Sequence, residues 1–222
     1  MAKKILFVVT GTDHWTLNDG TRHPTGFWAE ELITPYRALT VAGHRVTVAT
    51  PGGVRPTVDR ASLTEGAEAE LAGIGALNAP VALEKVDLDD YDAVFYPGGH
   101  GPMEDLAVDA VSGALLTAAL DSGKPLAVVC HGPAALLAAT RPDGTSPFAG
   151  RRLTGFSNAE ETQAGLADKA PWLLQDRLVG LGADYQEGEP WAPFVVVDGN
   201  LTTGQNPSSS APLAIELLKQ LG

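Results

Sequence analysis

The 222-residue sequence predicts one doubly wound α/β domain spanning residues 1–222, with a mostly parallel central sheet and helices on both faces. Three observations predict it. Short apolar runs of strand length alternate with longer helical stretches, the runs end in turns rich in Gly and Pro, and no repeat, linker or low-complexity tract divides the chain.

Residues 4–10 form the first apolar run and meet Thr10-Gly11-Thr12-Asp13-His14, too short a run for a signal peptide, so they read as a buried strand. A helix is expected over about residues 26–42, with Phe27, Leu32, Tyr36 and Leu39 on related faces and Gly43 as its stop. A second strand over 44–50 completes a βαβ unit, whose crossover implies parallel pairing. The pattern repeats with a strand over 92–96, the turn Pro97-Gly98-Gly99-His100-Gly101, a helix over 109–122 and a strand over 126–129. Pro133 opens a helical segment to residue 139, and residues 171–181 and 211–218 also read as helices. A small β-hairpin is expected over 194–203 around Asp198-Gly199-Asn200. Residues 54–90 and 141–156, rich in Gly, Pro and turn residues, give no definite element.

A formal net charge of −12 opposes binding to phosphate backbones, so no nucleic-acid partner is expected. No apolar stretch approaches the roughly 20 residues that cross a bilayer, so no membrane association is expected either. A single cysteine rules out an internal disulfide framework and fits a reducing compartment, here the cytoplasm.

That cysteine is the most informative residue. Cys130 falls where an apolar strand hands over to a helix, in Val129-Cys130-His131-Gly132-Pro133, a context that exposes a nucleophile on a sharp turn and favours the thiolate. Local sequence alone balances this against a buried structural thiol. His131 is the last of five histidines, which excludes the late catalytic histidine of a triad-type glutamine amidotransferase. The glycines after residue 97 suit either a simple turn or an oxyanion site, and they lack the spacing of a nucleotide-binding loop. Glu30-Glu31 and Glu160-Glu161 read locally as solvated pairs. No histidine pair has metal-ligand spacing, so neither a metal nor another cofactor is expected.

Taken together, Tyr96-Pro97-Gly98-Gly99-His100-Gly101, Val129-Cys130-His131-Gly132-Pro133-Ala134, Leu153-Thr154-Gly155-Phe156-Ser157-Asn158 and Thr203-Gly204-Gln205-Asn206-Pro207 resemble the ThiJ/PfpI superfamily, over nearly the whole chain. Thr25-Gly26-Phe27-Trp28-Ala29-Glu30-Glu31-Leu32 with Thr34-Pro35-Tyr36 is similar to its branch of heat-shock chaperones acting as glutathione-independent glyoxalase III. The resemblance implies a flavodoxin-like sandwich and a homodimer. It implies Cys130 as nucleophile, His131 beside it, Glu161 orienting the histidine, Glu31 bonded to the sulfur, and an oxyanion site at the amides of Gly98, Gly99 and His131. The implied reaction turns a small reactive aldehyde, methylglyoxal or glyoxal, into a hydroxy acid without glutathione, metal or cofactor; for methylglyoxal the product is D-lactate. Two other readings share this scaffold: a stress-response holdase or redox sensor, and a deglycase or other small-molecule hydrolase or hydratase.

Overall fold

The computed structural model describes residues 1–222. Its strands are β1 (Lys4–Val8), β2 (His14–Thr16), β3 (Arg22–Pro24), β4 (Arg45–Thr50), β5 (Val81–Ala82), β6 (Ala93–Tyr96), β7 (Leu126–Val129), β8 (Arg152–Leu153), β9 (Asp184–Tyr185), β10 (Val195–Asp198) and β11 (Leu201–Gly204). The α-helices are α1 (Ala29–Val41), α2 (Ala67–Gly73), α3 (Gly101–Glu104), α4 (Ala110–Ser122), α5 (Asn158–Gln163), α6 (Leu174–Gly180) and α7 (Ser210–Leu221).

Seven strands form the central sheet in the order β10-β11-β7-β6-β1-β4-β5, and all its pairs except β10 with β11 are parallel. Strands β1, β6 and β7 are almost wholly buried, as parallel strands covered on both faces must be. From β1 the chain crosses to β4 on one side and later to β6 and β7 on the other, so the direction of winding reverses beside β1. Loops leaving the carboxyl ends of neighbouring strands diverge at such a point and leave a crevice. The register Tyr96↔Val128 sets the loops after β6 and β7 side by side there.

The α/β expectation holds, with local differences. Helix α1 begins at Ala29, because the backbone of 26–28 is already engaged: Phe27 N–H donates to Thr57 O (2.9 Å) and Phe27 O accepts from Asp59 N–H (2.8 Å). The segment after Pro133 is a 3₁₀ helix, Gly132–Ala138, and the helix expected over 171–181 occupies only Leu174–Gly180. Helix α4 ends where expected, its first turn capped by Asp109, which accepts from Ser112 N–H, and its last by Gly123 at φ 74°. The hairpin forms around Gly199-Asn200, and its second strand, β11, lies beside β7 within the main sheet. No helix is long and apolar enough to cross a membrane.

Candidate active site

Cys130 follows β7 directly and takes φ 58°, a left-handed conformation rare for a residue with a side chain. The turn is held from both sides: Cys130 N–H donates to Gly204 O (2.9 Å) and Cys130 O accepts from Phe156 N–H (2.8 Å). These bonds tie it to β11 and to the segment before α5. The sulfur is 3.3 Å from His131 Nδ1, and the residue is only 2% exposed.

His131 Nε2 lies 2.7 Å from Glu161 Oε2, and His100 Nε2 lies 2.8 Å from Glu161 Oε1. The two rings are 4.0 Å apart, with Phe156 4.3 Å from His131 and Trp15 stacked 5.1 Å from His100. Burial, and then neighbouring His100, pushes the His131 imidazole down to about 4, so it is neutral near pH 7. Burial resists ionisation of Glu161, but His131 and His100 outweigh it and hold the carboxyl well below its usual range. An ionised Glu161 accepts only, so His131 carries its proton on Nε2 and turns the lone pair of Nδ1 toward the sulfur.

The locally ambiguous pair Glu160-Glu161 is thereby separated. Both side chains are buried, contrary to their reading as a solvated pair. Glu160 completes the capping box of α5 with Ser157 and also accepts from Trp191 N–H and Asn206 Nδ2 (2.8 Å each). Its neighbour, one step round the helix, meets the histidines.

Glu31 sits in the first turn of α1 and is fully buried, whereas Glu30 is exposed. Pro35 has no N–H to give the carbonyl of Glu31, which loosens this turn from the helical ladder. Glu31 Oε2 accepts from Gly98 N–H at 2.7 Å, Oε1 has no hydrogen-bond partner, and the Cys130 side chain is near enough to act on the carboxyl. Burial raises the Glu31 carboxyl to about 8, against the lowering effect of Cys130 and Gly98. Burial, and then the charge of Glu31, pushes the Cys130 thiol up as well, with Gly99 N–H pulling the other way. Both groups of the pair therefore rest protonated near neutral pH. The thiolate expected from a helix N-terminus is not the resting form: the helix is a short 3₁₀ turn, and burial outweighs what its amides offer.

Gly98 cannot donate to an oxyanion while its N–H is bound to Glu31, leaving the amides of Gly99 and His131 for that role. A Cβ on Gly98 would stand 2.6 Å from His131 N and 2.7 Å from Glu31 Oε2, so only glycine lets these loops close on each other. The residue that local reasoning passed over is His100. Its sign in the sequence is position: it follows a strand adjacent to the one that carries Cys130. Sequence spacing offered no metal set, yet His100, His131 and Glu161 present one ligand atom each within 4.8 Å of one another. As they stand, both Nε2 protons are committed to Glu161.

The titration of Glu31 has a consequence for stability. Its folded value, about 8, exceeds the ordinary carboxyl value of 4.5, so its contribution is complete below 4.5 and is lost as pH rises through 8. Unfolding free energy is expected to fall by about 1 kcal/mol between pH 7 and 8, measured by denaturant titration.

Comparison with known proteins gives the family. The model of the DJ-1/PfpI family matches residues 24–220. Glyoxalase 3 of Candida albicans is 30% identical over 97% of both chains, and its crystal structure superposes with a TM-score of 0.86 over 98% of this chain and 97% of that one. The glutamine amidotransferase-like class 1 domain-containing protein 1 of Bos taurus is 34% identical over 81% of this chain and 82% of its own. The protein/nucleic acid deglycase HchA of Pseudomonas aeruginosa is 31% identical over 94% of this chain and 77% of its own. On the family match over nearly its whole length, the chain belongs to the DJ-1/PfpI family.

Proposed function

We propose that the protein is a glutathione-independent glyoxalase that converts methylglyoxal and water to D-lactate through a Cys130 thioester. The observation that carries this reading is the buried Glu31 carboxyl, raised to about 8, beside a cysteine held on a strained turn. Simple hydrolysis of an amide or ester needs no such group. Moving a proton between adjacent carbons does, and a base poised near the working pH performs it best.

In this mechanism the sulfur adds to the aldehyde carbon while His131 Nδ1 takes the thiol proton, and the developing oxyanion meets the amides of Gly99 and His131. Protonation of that oxygen gives the hemithioacetal. Glu31, as carboxylate, removes hydrogen from the carbon bonded to sulfur while the hydroxyl proton of the hemithioacetal passes through His131 to the neighbouring carbonyl oxygen, forming an enediolate. Glu31 returns the proton to the second carbon, and the first becomes the thioester carbonyl. Hydrolysis releases lactate and restores the thiol. Proton return to a single face of the enediolate accounts for one enantiomer.

A second reading has one observation in its favour. A cavity of about 780 Å³ beside His100, lined also by Trp28, His23, Asp59 and Lys169, is far larger than a three-carbon dicarbonyl. It suits removal of dicarbonyl adducts from larger amines or thiols, a deglycase activity. Both readings are tested by supplying methylglyoxal alone, without glutathione, and resolving the lactate by chiral chromatography. D-lactate at catalytic turnover is the expected result; lactate formed only when an amine or thiol is added favours the deglycase, and racemic or no lactate in either case contradicts both.

A further inference from the structure

Glu161 holds two imidazoles, and the mechanism above employs one. The His100 ring makes a single hydrogen bond, from Nε2 to Glu161 Oε1 at 2.8 Å, which fixes its proton there and leaves Nδ1 with a free lone pair. The Cys130 sulfur is enclosed, whereas the His100 ring lines the 780 Å³ cavity and so joins that space to the Glu161 cluster. Trp15 stacks on the ring at 5.1 Å with planes 20° apart, and His131 lies 4.0 Å away, so its direction is fixed. His131 cannot easily serve the water step as well: its Nδ1 already faces the sulfur at 3.3 Å, and its low basicity suits the thiol better than water.

We propose that His100 is a second catalytic base, which activates the water that hydrolyses the Cys130 thioester. This rests on the thioester of the proposed function and deepens it. His100 Nδ1 takes one proton from a water in the cavity as its oxygen bonds to the thioester carbon. The resulting imidazolium is balanced by Glu161, and the tetrahedral oxyanion is met by the amides of Gly99 and His131. The carbon–sulfur bond then breaks, its electron pair passes to sulfur, and the proton of the new carboxyl group passes through His131 to the sulfur. The product leaves as its carboxylate and His100 returns its proton to solvent. One Glu161 carboxylate thus serves two half-reactions, His131 for thiol addition and His100 for water.

The test is His100→Gln, whose amide N–H replaces the Nε2 donor to Glu161 but supplies no base. With methylglyoxal, lactate turnover is expected to fall about 100-fold. Cys130 should accumulate as a thioester that neutral hydroxylamine, added after the reaction is quenched and methylglyoxal removed, cleaves to the hydroxamate. A second arm uses p-nitrophenyl acetate, which acylates the cysteine without any proton shift between carbons: the burst of nitrophenolate should persist and deacylation slow by a similar factor. An unchanged melting temperature and an unchanged rate of Cys130 alkylation by iodoacetamide confirm an intact fold and nucleophile. Wild-type turnover in the variant, or turnover lost without acyl-enzyme in both arms, overturns the proposal. If wild-type protein makes no lactate but the ester arm behaves as described, the glyoxalase reading fails and the role of His100 stands. Failure of the wild-type protein to be acylated in either arm overturns both.

Discussion

Cys130→Ala is expected to lower lactate formation from methylglyoxal by at least about 10⁴-fold, measured as D-lactate per enzyme without glutathione, with the fold retained. The size follows from geometry. No other cysteine exists to take its place, and in the proposed mechanism the amides of Gly99 and His131 act only on a substrate that Cys130 has already bonded. The turn itself survives the change, because it is fixed through the backbone: Cys130 N–H to Gly204 and Cys130 O from Phe156. Alanine meets the same cost at φ 58° and loses only a sulfur, so the melting temperature should shift by no more than a few degrees. Comparable lactate formation by the variant would remove the thiol from the chemistry.

Glu31→Gln separates catalysis from stability and should move them in opposite directions. A glutamine carbonyl still accepts from Gly98 N–H and its amide stays near the Cys130 side chain, so the cysteine environment is kept, but no proton can be exchanged. Lactate formation is expected to drop by about 10² to 10⁴-fold, the usual contribution of a positioned acid–base group, while Cys130 remains reactive to iodoacetamide. At pH 8 and above the variant should be more stable than wild type by about 1 to 3 kcal/mol, since the buried carboxyl no longer has to ionise. The gain should shrink as pH falls to 6, where wild-type Glu31 is protonated in the fold. A gain that does not change with pH would mean that Glu31 does not titrate in this range.

The buried strands were legible because a parallel strand covered on both faces is apolar throughout, as in Ile5-Leu6-Phe7-Val8 and Leu126-Ala127-Val128-Val129. Helix α4 was legible through its ends, Asp109 and Gly123, whose chemistry is local. The start of α1 was not: residues 26–28 have helical neighbours, but Phe27 bonds to residues 57 and 59, Trp28 N–H to Gly98 O and Gly26 O to Gly101 N–H, all far along the chain. Cys130 was ambiguous for a related reason, since a thiol after a strand is equally a packing residue until its neighbours are known.

The remainder of the site was carried by family resemblance, because its parts converge from four segments: Glu31 from α1, Gly98 to His100 after β6, Cys130 and His131 after β7, and Glu161 from α5. Two acidic pairs look alike in sequence, yet one member of the first and both of the second are buried. His100 escaped because a histidine among glycines carries no local signature of its bond to Glu161. The protonated resting state of the thiol was missed because burial cannot be weighed from a motif.

A covalent bond to Cys130 is open to direct detection by rapid acid quench of enzyme mixed with excess methylglyoxal, followed by peptide mass mapping. One methylglyoxal-derived adduct is expected on the Cys130 peptide during turnover, labile to neutral hydroxylamine, and none in Cys130→Ala. Adducts confined to Lys and Arg side chains while lactate accumulates would contradict that bond.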